Sequence, residues 1–419
     1  MRLGRYHRTL VLAAVVGIGV GLFATGFRLA WKAGLDLLWG GTVVPWHRIV
    51  VSTVAGVLIG AIGTLSHYPG SLAAVVRDFH EHGAIPARDN IPVVPSNFLG
   101  LIAGQGAGPE GMMSVVGGSL GTRVGDRLDA GGRKLLTLAG MGAGFGTILG
   151  APIGGSLLWL ELPHRRGIEY YEAIVPTLVA SFSGYLVMVS LSGLSLFTVW
   201  EADLLYQYAP WHLAAALLVG VAVVPLAHIY DRVFSAVGRI LNRYSPRLIV
   251  RTTVAGFGIG LLGYALPLTY FYGGTQINAV LNGQHSLGLL VAVLGGEMVA
   301  AALTIQGNWH GGLIIPHMFM GAVIGQALSL VVPGLPAPIA MLVGMAAFNA
   351  TVTGTPLSSA LIAISLTNGA AIVPVFLGSL ASFVVGPSVG FVGTEEPRRE
   401  QEGPLFALDE GNSEDGAGD

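Results

Sequence analysis

Between Arg251 and Arg398 the chain contains no lysine or arginine, and its only acids there are Glu297, Glu395 and Glu396. A water-soluble fold of that length needs charge across its outer surface, so this stretch must face a medium that is itself apolar. The rest of the chain agrees: 11% of its 419 residues are charged, against about 25% in soluble domains. With 53% hydrophobic residues and a mean hydropathy of +0.69, the sequence reads as an integral membrane protein.

The N-terminal stretch MRLGRYHRTLVLAAVVGIGVGLFATGFRLAW starts basic and is apolar from about Thr9 to Leu29, long enough to span. No small-residue cleavage site interrupts it, so it reads as a retained helix and not a signal peptide. Arg2, Arg5 and Arg8 ahead of it place the N-terminus in the cytoplasm of a cell-membrane protein. LYQYAPWHL carries aromatics suited to an interface, and HIYDRVFSAVGRILNRYSPRLIVR gathers Arg232, Arg239, Arg243, Arg247 and Arg251 as a cytoplasmic connection. Residues 394–419 are polar, acidic and glycine-rich, which predicts a disordered cytoplasmic tail with no regulatory domain after it. The absence of cysteine excludes disulfides, thiol catalysis and Cys-bound metals. A net charge of -2 argues against nucleic acid as a partner, and no nucleophile–base pair, metal cluster or cofactor motif points to an enzyme.

Glycine accounts for 63 residues, about twice the average usage, and prolines recur inside apolar runs such as GTILGAPIGGSLLWL, GGLIIPHMFMGAVIG and VTGTPLSSALIAISL. Irregular backbone at membrane depth survives only where protein buries it or it lines a wet cavity. These segments therefore predict broken helices that meet near the midplane. A repeat accompanies them. GAPIGGSLLWLEL (Gly150 to Leu162) resembles GTPLSSALIAISL (Gly354 to Leu366), with Pro152 and Pro356 standing 204 residues apart. Gly117 and Gly121 match Gly321 and Gly325 at the same offset. The expected architecture is all-α: one transmembrane domain over 1–393, made of two inverted repeats at about 8–190 and 208–390.

One acid stands alone in GQGAGPEGMMSVVGGSLG: no other occurs between Asp89 and Asp126. A phosphate or dinucleotide loop would need a Lys-Ser/Thr or a ribose-binding acid, and neither follows. Gly108 and Pro109 break the chain, and a helix then begins whose first amides lack partners and whose dipole favours an anion. Glu110 at that point can fill the anion site itself and yield it when protonated or swung aside. The plainer alternative is that Glu110 only caps its helix.

GPEG (Gly108–Gly111), followed by VGGSLG, resembles the gating-glutamate motif of the CLC chloride channels and proton-coupled chloride transporters. That motif is commonly Gly-basic-Glu-Gly-Pro; here Pro109 and Met112 replace the basic residue and the proline. GGLIIP (Gly311–Pro316) is similar to the family's second filter motif, with Ile314 in its phenylalanine position, and LSHYP (Leu65–Pro69) stands where Ser66 would be the central serine ligand. The resemblance runs from about Tyr6 to Gly393, in the family's order. It implies a homodimer in membrane lipid, with one pathway per subunit for chloride or a similar small anion. Glu110 would be the gate, and Ser66, Gly108, Pro109, Gly111, Ile314 and Ile315 would surround the anion. Backbone amides and a hydroxyl suit such an ion, because a fixed cation would bind too tightly to let it leave.

Three departures qualify the expectation. Leu162 occupies the place of a second, proton-relaying glutamate, with Glu161 just before it. Glu161 reads as a solvated helix-end charge beside His164, Arg165 and Arg166, with a proton relay as the alternative. No tyrosine follows Tyr272, so the family's C-terminal tyrosine ligand is missing. LSHYP keeps only the serine and the proline of its motif. Passive conduction and proton-coupled exchange both stay open, as do fluoride selectivity and a degenerate sensor or scaffold that moves no ion. Glu297, after LGG, reads as a helix-start charge near the cytoplasmic surface, with a second proton carrier as the alternative. His310 and His317 read as hydrogen-bonded structural histidines.

Overall fold

A computed structural model describes residues 3–41, 44–66, 72–162, 170–192, 209–367 and 371–386. The predicted tail, the basic cluster at 164–166 and residues 67–69 of the LSHYP motif lie outside them. The first half contains α1 (Leu3–Trp39), α2 (His47–Ser66), α3 (Leu72–His82), α4 (Asn90–Ile102), α5 (Glu110–Gly125), α6 (Ala130–Leu149), α7 (Pro152–Glu161) and α8 (Ile174–Ser192). The second contains α9 (Trp211–Tyr244), α10 (Leu248–Ala265), α11 (Gln276–Asn282), α12 (Leu287–Gln306), α13 (Ile314–Val331), α14 (Ala337–Thr353), α15 (Pro356–Ser365) and α16 (Ile372–Val385). No strand occurs among the described residues, only one isolated bridge between Gly108 and Gly312.

Seven of these helices, α1, α2, α8, α9, α10, α12 and α13, are long and apolar enough to cross a bilayer. α1 shows why the exterior is lipid. Its inward residues Ala13, Val16, Val20, Ala24 and Phe27 are buried at three- and four-residue spacing, whereas Val11, Val15, Ile18 and Leu22 are exposed on another face. A helix that is apolar on both faces has no aqueous side. The chain is a multi-pass all-α membrane protein.

The helix boundaries repeat at the offset read from the motifs. α3 and α11 begin 204 residues apart, as do α5 and α13, and α4 and α12 end so. α7 and α15 match at both ends. Gly150 and Gly354, both left-handed with φ of 65° and 71°, end α6 and α14. Each is a helix C-terminus that a side chain would strain. Packing repeats as well. Gly117 of α5 lies against the Gly140 carbonyl of α6, and Gly321 of α13 against the Gly344 carbonyl of α14, so close that a Cβ at either glycine would strike backbone. Without a hydrophobic drive between helices in lipid, such backbone approach supplies the packing.

The halves join along α2 and α10, and again where α7 meets α15. In between, the break before α5 meets the break before α13.

Candidate functional site

That meeting is the Gly108–Gly312 bridge. Gly108 N donates to Gly312 O at 2.8 Å, and Gly312 N to Gly108 O at 2.9 Å. The two glycines also differ by 204, so each repeat pairs its break with the other's, and two helix N-termini are held side by side. Asn97 of α4 ties the arrangement down, its amide donating to the His310 carbonyl at 2.7 Å and to Gly108 O at 3.4 Å. Backbone breaks of this kind would otherwise leave buried carbonyls without donors.

Glu110 is the first residue of α5, after Pro109 at its N-cap, and is fully buried. Its side chain does not stay on its own helix. Oε1 accepts from the amides of Ile314 at 3.1 Å and Ile315 at 3.4 Å, the first two residues of α13. Oε2 has no hydrogen-bond partner among the described residues. A Cβ on Gly108 or Gly312 would collide with the carboxyl, so both glycines are the space in which it sits. Gly111 lies against Gly311 and Gly312, packing the first turn of α5 onto the second break. Ile314 and Ile315 are buried, and they present amides, not side chains. The acid therefore fills an anion site at the end of an 18-residue helix, where orphan amides and the dipole both favour negative charge.

Of the expected ligands, Gly108, Pro109, Gly111, Ile314 and Ile315 come together around Glu110. Ser66 does not join them: it ends α2, is exposed, and donates to its own helix at Ile62 O, 2.8 Å away. A serine in the last turn of a helix satisfies itself on the preceding turn, and no described residue draws its hydroxyl inward.

Glu161 corrects the expectation of a solvated charge. It is 1% exposed and caps the N-terminus of α15. Oε1 accepts from Leu357 N at 3.2 Å, and Oε2 from Ser358 N at 2.9 Å and Ser358 Oγ at 2.6 Å. Burial between α7 and α15 removes the water that a helix-end charge would need, and the α15 amides replace it. Glu297 is also not a helix-start charge: α12 begins at Leu287, and Glu297 lies fully buried in its middle. Gly296 does not break the helix because it serves packing, with Thr269 and Leu266 against it. His317 is hydrogen-bonded, as expected, to Asn349 and Tyr230.

Sequence reading did not find Asn97, Gly312 or Ser358. Gly312 was within reach, since 204 residues from Gly108 is where the repeat puts its partner. Asn97 and Ser358 give no such signal, because their partners are set by the packing of separate helices.

The sequence model of the voltage gated chloride channel family matches residues 71–387. The chain is 25% identical over 402 residues to the chloride/fluoride channel protein of Pseudomonas syringae pv. tomato, covering 91% of this chain and 84% of that one. It is 25% identical over 420 residues to the H(+)/Cl(-) exchange transporter ClcA of Vibrio vulnificus, covering 91% and 87%. Its fold matches the crystal structure of a slow cyanobacterial Cl-/H+ antiporter with a TM-score of 0.80, at 22% identity, covering 93% of this chain and 97% of the other. With its family model matched over most of its length and its broken helices meeting at a buried glutamate, the chain belongs to the voltage gated chloride channel family, the CLC channels and transporters.

Proposed function

We propose that the protein carries chloride or a similar small anion across the cell membrane, and that Glu110 is its gate. The observation that supports this most is the placement of the Glu110 carboxyl on the Ile314 and Ile315 amides with one oxygen unengaged. Two backbone donors hold a carboxylate weakly enough for another anion to replace it, and among the described residues no Lys or Arg is bonded to it to trap the replacement. Protonation removes the charge that competes with the anion. Flux then rises as pH falls, and the gate closes as pH rises.

The protein works as a homodimer with one pathway per subunit, its N- and C-termini in the cytoplasm. Support comes from the family, from the arginines ahead of α1 and from the exposed apolar faces of α8 and α16, where Leu186 and Val373 are 61% and 57% exposed. Glu161 is the candidate for a proton relay beside Leu162. Both its oxygens are engaged, so a proton passing through it must first displace the Ser358 hydroxyl.

The test is chloride efflux from liposomes, with external pH followed in the same trace, for the wild type and Glu110→Gln. Chloride efflux that drives protons uphill, with proton movement lost in the variant, makes the protein a coupled exchanger gated by Glu110. Chloride efflux without protons makes it a channel. Fluoride efflux in preference to chloride reassigns the ion, and the absence of flux of either ion overturns transport altogether.

A further inference from the structure

We propose that Glu297 is a second, internal proton-binding site, linked through Tyr230 and His317 to the helix that holds the Glu110 carboxyl. The linkage rests on the anion-transport reading above; the proton site does not.

Glu297 sits in the middle of α12, fully buried, and neither carboxyl oxygen has a hydrogen-bond partner among the described residues. Its neighbours on the helix, Leu294, Met298 and Ala301, pack with Tyr230, Met320 and Phe348 in one apolar cluster. An ionised carboxylate without donor or countercharge is untenable in such surroundings, so the group carries a proton or holds a cation. A metal cation would need several oxygen ligands around it. α12 packs against α9, α10 and α13. Beside Tyr230, α9 brings half-buried His228, 3.0 Å from Val224 O, half-buried Asp231 and exposed Arg232; α10 brings Arg251, bonded to Asn308 at 3.1 Å and to Asn242; and α13 brings His317. That set does not make an oxygen cage, and it leaves the proton as the ligand.

The hydrogen bonds leading away from Tyr230 have a fixed direction. Thr353 Oγ1 donates to Asn349 O at 2.7 Å, so it accepts from Thr355 Oγ1, also at 2.7 Å. Thr355 in turn accepts from Ser359 Oγ at 3.2 Å, and Ser359 accepts from Asn349 Nδ2 at 2.7 Å. Asn349 is thereby oriented with its Oδ1 towards His317 Nδ1, 3.2 Å away, which must carry the hydrogen. In the neutral ring Nε2 is then the acceptor, and it faces the Tyr230 hydroxyl at 3.4 Å. Every donor runs from Tyr230 towards Asn349, and Tyr230 packs in one cluster with Leu294, Met298 and Ala301, which flank Glu297 on α12.

This polarity makes a one-proton step possible. The Glu297 carboxyl gives its proton to the Tyr230 oxygen, directly after a side-chain swing or through one water, as Tyr230 gives its own to His317 Nε2. The carboxyl becomes a carboxylate that accepts from the Tyr230 hydroxyl, the tyrosine is otherwise unchanged, and the imidazole becomes an imidazolium with both nitrogens protonated. His317 follows Ile314 by three residues, one turn along α13 from the amides that hold Glu110. A proton moved to His317 places positive charge one helical turn from the anion site, and occupation of either site favours the other.

The experiment is infrared difference spectroscopy of the full-length protein in liposomes as pH is varied, with chloride efflux measured on the same preparations. A carboxylic C=O band present in the wild type and in Glu110→Gln, lost in Glu297→Gln and shifted in Tyr230→Phe, is the expected result. If no such band depends on Glu297 at any pH at which the fold holds, the site is overturned. Glu297→Gln and His317→Gln should each change chloride flux at the acid end of the pH range by roughly tenfold, the size of a typical coupling between sites. A Glu297-dependent band with an unchanged pH profile of flux overturns the linkage and keeps the site. No flux in any preparation overturns the transport reading, while the band still decides Glu297.

Discussion

Two carboxyls of the first half reach across to helix N-termini of the second, and they are held differently. Glu110 has two backbone amides at 3.1 and 3.4 Å on one oxygen and, among the described residues, no partner on the other. Glu161 has three donors on two oxygens, the shortest a hydroxyl at 2.6 Å. The same chemistry, an acid on orphan helix amides, thus gives a lightly held carboxyl in one place and a firmly held one in the other. The added donor is one side chain: the hydroxyl of Ser358 sits where α13 offers the alkyl chain of Ile315. The proposed gate would have to let go, and a clamp between α7 and α15 would not.

The contrast can be broken most directly at the clamp. Glu161→Ala leaves two amides and a hydroxyl without an acceptor and is expected to destabilise the fold by about 3 kcal/mol. Thermal unfolding in detergent reads this directly; a variant that melts with the wild type would show that α7 and α15 do not depend on Glu161. Next in size, Gly312→Ala puts a methyl group where the Glu110 carboxyl lies and is expected to cost about 2 kcal/mol by overpacking. The carboxyl is pushed off the Ile314 amide, so chloride efflux at alkaline pH should rise; unchanged efflux would remove the steric argument for the glycine. Ser358→Ala deletes one donor to Glu161 and should cost about 1.5 kcal/mol. Equal losses for Ser358→Ala and Glu161→Ala would mean that the hydroxyl alone makes the clamp. Smallest in stability is Glu110→Gln, at about 0.5 kcal/mol, since the glutamine carbonyl oxygen can still accept from the Ile314 and Ile315 amides. Its effect is functional: efflux should stay at its acid level across the pH range, and a retained pH dependence would move the gate elsewhere.

Much of this site was legible because the chain repeats itself. Two motif pairs at an offset of 204 foretold the helix pairs, and an isolated acid in a glycine-rich break foretold a helix N-terminus. Glu161 was misjudged for a physical reason. Its partners stand 196 and 197 residues away, off the repeat offset, and a helix-end acid beside basic residues has the local pattern of a solvated charge. Glu297 was misplaced because Gly295 and Gly296 look like a helix break, whereas in a membrane bundle glycine just as often brings helices together. Ser66 matched a motif by position alone, and position along the chain does not say which way a helix-end hydroxyl turns.

The bridge between Gly108 and Gly312 joins two nearly equivalent helix ends, yet an acid stands at only one of them: the residue 204 positions after Glu110 is Ile314. In an inverted repeat, equivalent positions face opposite leaflets. A pathway built from such halves would have no preferred sense if the two ends were alike. Under the proposed gating, an acid at one end and an isoleucine at the other would let the molecule tell one compartment from the other. Transposing the pair, with Glu110→Ile and Ile314→Glu together, should reverse the compartment whose acidity opens it.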